Sequence, residues 1–300
     1  MVQRRSRMHR TPIGTHIALT PRDFEIFRVL TRYRYLRSTY LHAFAGGASE
    51  TRFKERLCVL FHEGYLDRPS QQWQFADALH APVVYELGEG AKRILHERGD
   101  TSDPWTFLSP GAHRQFAHSV MLCACLASIE LATRDRDSLR FIPWPEILTR
   151  VPEATRASPV PFRIPLSCGG IVPDGFFGIE YGGCDKKAYR FFALEADHGT
   201  MPVIRSDKRQ TSFFGKLSAY HDAITQRAHK HHLGVPNLFV LTVTNSKTRL
   251  SEMVRTFSDH SPRPTFLFKA LDGALVVPVL DLFNTPWERP NLPPLPMDRP

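Results

Sequence analysis

Cysteine is scarce in this sequence, and its spacing excludes more than it suggests. The five residues, Cys58, Cys123, Cys125, Cys168 and Cys184, are odd in number and contain no C-x-x-C pair. A disulfide framework and a thiolate zinc site are therefore not expected, and a reduced, cytoplasmic protein is. A secretory leader is missing as well: MVQRRSRMHRTPIGTH carries Arg4, Arg5, Arg7 and Arg10 but no apolar stretch, and reads as a flexible basic arm. No long hydrophobic run is uninterrupted. The most apolar one, FAHSVMLCACLASIELA, is broken by His118, Ser119, Ser128 and Glu130, which predicts a buried helix and no membrane span. Internal repeats are absent too.

What the chain does have is length, apolar content and positive charge. Three hundred residues, 42% hydrophobic, suffice for one large domain or two ordinary ones, each with its own core. The formal charge is +9, and residues 1–68 alone hold thirteen Lys and Arg against six Asp and Glu. Such an imbalance predicts a polyanionic partner. Double-stranded DNA is preferred over a membrane surface, because no adjoining segment has the apolar face that lipid docking needs.

The basic region has the pattern of a small helical domain. LTPRDFEIFRVLTRYR starts with Thr20 as N-cap and Pro21 at the first helical position, and Phe24, Phe27, Leu30 and Thr31 follow at helical spacing. YLRSTYLHAFAGG predicts a brief extended link and a short helix closed by Gly46 and Gly47. In ASETRFKERLCVLFHEGYLDR, Ser49 caps a third helix whose Phe53, Leu57, Leu60 and Phe61 form an apolar stripe. Its other face shows Thr51, Arg52, Lys54, Glu55 and Arg56. YLDRP and APVVYELGEG predict two strands around a polar loop, and EGAKRILHERG a closing helix. Three helices and a two-stranded wing spell a winged helix-turn-helix over residues 19–99, with Thr51, Arg52, Lys54 and Arg56 on the element that enters the major groove. A solvated helix face is the plainer reading of the same charges. The basic arm, residues 1–18, would add Arg4, Arg5, Arg7 and Arg10 to the DNA contacts.

DTSDPWTFLSPGA, residues 100–112, reads as a linker. A second domain follows over 113–283: a long helix to about Arg134, the strand LRFIPW, and an irregular Pro-rich stretch to Gly170. Next come a hairpin of PDGFFGIEY and YRFFALEAD, the helix TSFFGKLSAYHDAITQRAHK, the strand NLFVLTVT, the helix SKTRLSEMVRTFSDH, and the strand TFLFKALDGALVV, expected to close the sheet. The Pro-rich tail, 284–300, is expected to be extended or draped. The whole is an α+β chain.

Three carboxylates mark the ends of the hairpin strands: Asp174 heads the first, and Glu195 and Asp197 end the second. Two such charges about 4 Å apart repel by about 4 kcal/mol at an effective dielectric near 20, so a cation or a proton is expected among them. Glu195 and Asp197 alternate on one strand and share a face. A symmetric turn at Cys184 and Asp185 is expected to pair Asp174 with Ala196, on the opposite face, so that a bulge or an off-centre turn is needed to bring it round. His229, His231 and His232 close a helix, where imidazoles suit the dipole.

This order, with P-D before one central strand and an acid pair ending the next, resembles the PD-(D/E)XK, or restriction-endonuclease-like, nuclease fold. The resemblance implies that Asp174, Glu195 and Asp197 hold magnesium, a hard cation that takes oxygen ligands and activates water. Where that fold has lysine two residues after the Glu, this chain has Asp197. Lys216 in FFGKLSAYHD is the best displaced substitute, with Lys208 behind it, and Glu130 could be an accessory acid. A working site, a degenerate one, and plain solvent-facing carboxylates all remain open.

A second resemblance spans about residues 18–245. LTPRDFEIFRVLTRYRYL, RLCVLFHEGYLDR, YELGEGAKRIL, PDGFFGIEY, FFALEADHGT and KLSAYHDAI, in that order, look like the replication-relaxation family of bacterial mobile elements. L-E-x-D-x-G-T followed by K-L-x-x-Y is the most specific part. The resemblance implies a plasmid- or element-encoded DNA-binding protein, with a possible homodimer or replication and mobilisation partners. Two functions stay open: metal-dependent nicking of DNA, and a regulator without chemistry whose C-terminal domain mediates dimerisation or docking.

Overall fold

A computed structural model of the chain describes residues 6–12, 14, 17–75, 77–100, 116–167, 169–182, 187–199, 203, 212–258, 264–271, 273 and 275–300. Arg4, Arg5, Cys168, Cys184, Lys208 and the expected linker beyond residue 100 lie outside the described residues. The fold is α+β, in two compact units. The first takes in Met1–Trp105, Arg114–Ala127 and Leu275–Pro278, and the second Thr106–His113, Ser128–Ala274 and Val279–Pro300.

In the first unit α1 (Pro21–Arg32), β1 (Leu36–Arg37), α2 (Ser38–Ala45), α3 (Glu50–His62), β2 (Leu66–Asp67), β3 (Val84–Leu87) and α4 (Glu89–Glu97) follow in order. The strands form one antiparallel sheet, β1-β3-β2. Thr20 caps α1 in a complete capping box with Asp23, and Ser49 caps α3. Phe53, Leu57, Leu60 and Phe61 are all at most 4% exposed, so the stripe read from the sequence is the buried face of α3. Gly64, at φ +83°, ends the approach from α3, and Gly88 packs against it: a Cβ at 88 would stand 2.5 Å from the Gly64 carbonyl oxygen. The polar loop is partly ordered by Gln72, a buried side chain whose amide exchanges hydrogen bonds with both backbone groups of Val84.

The next helix, α5 (Phe116–Arg134), belongs to the first unit as far as Ala127 and to the second from Ser128. It is long and apolar enough to cross a membrane, yet 78% of its most apolar window is buried within the protein, as in a core helix.

The second unit continues with β4 (Leu139–Pro143), α6 (Trp144–Arg150), α7 (Glu153–Arg156), β5 (Ile164–Leu166), β6 (Gly169–Ile171), β7 (Gly175–Tyr181), β8 (Ala188–Asp197), α8 (Phe213–Thr225) and α9 (Ala228–Leu233). After these come β9 (Phe239–Thr244), α10 (Lys247–Ser258), β10 (Phe266–Ala270), α11 (Asp281–Asn284), β11 (Trp287–Arg289) and β12 (Leu292–Leu295). Two expectations change here. The Pro-rich stretch before Gly170 is not irregular, since it holds two short helices and the β5-β6 ribbon. Nor does the strand at 266–270 close the sheet: the tail adds β11 and β12 beyond it, in the order β12-β11-β10-β9-β8-β7-β4. Trp287, 0% exposed, explains why the tail is held, because an indole of that size is driven from water whatever the prolines around it prefer.

The sheet face that carries the site is built in levels. Phe176, Ala193, Val240 and Phe266 stand in register across β7, β8, β9 and β10, and all belong to the main core. Helix α8 covers this core with Phe213, Leu217, Tyr220 and Ala223, each buried. A fully buried side chain of the larger kind contributes about 1.5–3 kcal/mol. The opposite face is lined by the stacked rings of Phe141, Phe177 and Phe192.

Candidate active site

Two residues up from the apolar level, the same face turns polar. Glu195 on β8 pairs in register with Thr242 on β9, which pairs with Phe268 on β10. The β7-β8 ladder runs without a break from Tyr181↔Ala188 to Gly175↔Leu194, and the same register carried one residue further would set Asp174, just before β7, opposite Glu195. The expected pairing of Asp174 with Ala196 is thereby corrected. This register carries 174 toward 195, on one face, and needs no bulge within the described ladder.

Lys216 on α8 joins the two acids. Its ammonium donates to Asp174 Oδ1 at 3.1 Å and to Glu195 Oε2 in a shorter contact. Tyr220, one helical turn on, donates its hydroxyl to Glu195 Oε1 at 2.5 Å. Asp174 Oδ2 accepts the Ala196 backbone N–H at 3.2 Å. The spacing of Lys216 and Tyr220 places both on the helix face that Leu217 anchors against the sheet. Asp174 and Glu195 are 7% and 2% exposed, while the Lys216 side chain keeps 27%.

Burial pushes the Glu195 carboxyl up, Asp174 adds to that, and Lys216 and Tyr220 only partly offset it, leaving a pKa of about 8. Burial pulls Lys216 down, but the two carboxylates outweigh it and raise the ammonium to about 12. At neutral pH the group is thus a fixed cation between two acids, one of which holds its proton unusually well.

Asp197 stands apart. It lies on the same strand face, but its carboxylate is gripped in two-pronged fashion by Arg249 of α10, whose Nη2 donates to Oδ1 at 2.9 Å and whose Nε donates to Oδ2; Thr244 donates to Oδ2 at 3.2 Å. The three acids expected around one ion are therefore divided, two with Lys216 and one with Arg249. Among the described residues no cluster of three or more His, Cys, Asp or Glu side chains could hold a metal. Glu130 pairs with Arg134 at 3.4 Å. His229 faces the Ala223 carbonyl and His232 the Pro161 carbonyl, both as parts of the packing around α9.

Two carboxylates on adjacent strands do fit magnesium, which keeps several waters and takes one or two protein carboxylates. One buried atom argues the same way. Thr242 is 1% exposed, stands beside Glu195, and its hydroxyl has no hydrogen-bond partner among the described residues. A hydroxyl left so costs about 1–3 kcal/mol, and a water belonging to an ion's shell would satisfy it. Tyr220 was within reach of the sequence, four residues after Lys216. Arg249, Thr242 and Thr244 carried no signal there.

In the first unit, Thr51, Arg52 and Lys54 are exposed on α3, Lys54 in an i,i+4 pair with Glu50 at 2.7 Å. Arg56, on the same helix, is only partly exposed. Its guanidinium donates to both oxygens of the buried Asp23 (3.0 and 2.6 Å) and to the Ala18 carbonyl, tying α3 to the cap of α1. Arg7 and Arg10 are engaged as well. Arg7 donates to the carbonyls of Leu79 and Ala81, and Arg10 to those of Phe61 and Leu66 and to Asp67 at 3.1 Å.

Comparison with known proteins gives one match: the family described as replication-relaxation, over residues 27–248. No curated protein and no solved structure matches the chain. The matched region contains both tracts that meet at the site, Leu194 to Gly199 and Lys216 to Tyr220.

Proposed function

The chain belongs to the replication-relaxation family, and from that premise we propose that it is a cytoplasmic DNA-binding protein of a plasmid or other mobile element that nicks duplex DNA with magnesium. The first unit acts as a winged helix-turn-helix, with Thr51, Arg52 and Lys54 of α3 toward the groove and the 68–83 segment as the wing. The second acts as a PD-(D/E)XK-like nuclease in which the lysine has moved from the strand to α8.

The observation that carries this reading is the bridge from Lys216 to both Asp174 and Glu195. An Asp and a Glu on neighbouring strands with a lysine between them are the parts such hydrolysis needs, although Asp197 fills the usual lysine position. Asp174 and Glu195 would hold magnesium, which supplies an acidified water and charge neutralisation at phosphorus. Lys216 then orients the attacking water or stabilises the phosphate oxygens, Tyr220 fixes the Glu195 carboxylate, and Arg249 keeps Asp197 neutralised beside them.

The test is conversion of supercoiled plasmid to the open circle with magnesium or manganese. Wild-type protein should nick, and Glu195→Gln should not, while duplex affinity stays within a few-fold. Normal binding without nicking under any divalent ion supports the other reading, a regulator whose C-terminal unit docks a partner or a second copy. The observation in favour of that reading is that Lys216 already stands between the two acids and supplies a counter-charge there.

A further inference from the structure

Within the first unit, a cavity of about 700 Å³ opens between α3 and the segment leading into β3. That size lies within the roughly 300–1,000 Å³ of small-molecule sites. Val59 and Pro82 supply apolar wall, and Arg7, Arg68 and Lys54 supply charge. Among the described residues Glu55 is the only acid in the lining, and it is exposed.

The two arginines are held in an unusual way. Arg68 is 8% exposed, with its guanidinium 4.1 Å from the Phe61 ring centre and 5.1 Å from that of Tyr85. It donates to the Arg7 carbonyl at 2.8 Å and to the Tyr85 hydroxyl at 3.0 Å. Arg7 lies over Trp73 at 5.7 Å and, among the described residues, donates only to carbonyls. None of these partners bears a negative charge. Asp67, the neighbouring acid, is taken by Arg10. Among the described residues both arginines keep a buried Nε–H without an acceptor, and Arg7 is depressed first by burial and then by Arg68. A buried charge is costly unless paired, and here the buried Arg68 shares one cavity wall with the half-buried Arg7, a charge of the same sign.

We propose that this cavity is a phosphate-binding site that takes a phosphomonoester, such as a nucleotide, with its dianionic head toward Arg7 and Arg68 and its body along Val59 and Pro82. A dianion matches two uncompensated guanidinium charges, where a carboxylate would match one. The wall is pre-formed, since aromatic faces and carbonyls already fix both planes, and guanidinium groups suit phosphate. The same chemistry could come from a phosphate of the duplex backbone, and the site does not depend on the nuclease reading.

Full-length protein is titrated calorimetrically with AMP, alone and in the presence of a 20-base-pair duplex. AMP binding should weaken about tenfold in Arg7→Gln, the loss expected for a hydrogen bond to a charged group. It should weaken likewise in Val59→Trp, which fills the cavity and leaves both arginines in place. Arg52→Gln should not change it. AMP retained alongside bound duplex identifies a free ligand. Displacement of AMP by duplex, or a duplex affinity that drops in both variants, identifies the backbone as the source. If neither AMP nor duplex affinity responds to Arg7→Gln and Val59→Trp, the site does not exist.

Discussion

Binding of a divalent ion at Asp174 and Glu195 should expel a proton, and the amount is set by the Glu195 environment. With its pKa raised to about 8 by burial and by Asp174, the carboxyl holds its proton at pH 7 far better than an ordinary carboxyl does, whereas an ion needs it fully ionised. Magnesium uptake should therefore release protons at pH 7, and fewer as the pH is raised to 9. Calorimetry in two buffers of different ionisation enthalpy reads this directly. Glu195→Gln should release none. The same group shapes stability without the ion. Its folded pKa lies above the ordinary 4.5, so its contribution is full below about pH 4.5 and is lost as pH rises through about 8. The loss is on the order of a few kcal/mol for a group this buried. Urea unfolding followed from pH 5 to 9 should show stability falling in wild type and a flatter profile in Glu195→Gln. Ion binding with no proton release at pH 7, or stability that rises through this window, would refute the placement of Glu195 in a dry, acid-crowded site.

Other substitutions separate structure from function. Arg56→Ala should destabilise by about 2–3 kcal/mol in urea melts, because Asp23 is left buried and the arginine was itself partly exposed; the loss should shrink in acid as Asp23 protonates. Arg52→Ala should leave stability alone and flatten the salt dependence of duplex binding by about 0.9 in log–log slope. An unchanged slope moves the interface away from α3. Thr242→Val should raise metal-free stability by about 1 kcal/mol by deleting an unsatisfied hydroxyl, and weaken magnesium binding several-fold in calorimetry. Equal ion affinity in both proteins means that the hydroxyl takes no part. Trp287→Ala should cost about 3–5 kcal/mol, as for other buried tryptophans; a loss under 1 kcal/mol would mean the tail strands carry no weight in the fold.

Much of this protein was legible in its residues because the governing forces are local. Thr20, Pro21 and Ser49 announce helix starts through their own backbone hydrogen bonds, and the Phe53 to Phe61 stripe states which face of α3 is buried. Alternation put Glu195 and Asp197 on one face, and the choice of Lys216 as the displaced lysine came from the helix that follows. Family-specific tracts also pointed to the region where the site residues meet. Polar partners were not legible in the same way, since a charged side chain does not encode which of its distant neighbours will neutralise it. Nothing in the residues around Arg56 announces Asp23 of α1 as its partner, and nothing around Asp197 announces Arg249 of α10, 52 residues away.

By itself, then, the sequence determined the helix caps, the buried stripes, the α+β order and the family. Tertiary structure alone decided that Asp174 and Glu195 share a lysine, that Asp197 does not join them, and that the tail completes the sheet. The reason is physical. Caps and periodicity arise from interactions a few residues apart, whereas the register between strands and the pairing of buried charges are fixed only when distant segments are packed together and water is excluded from between them.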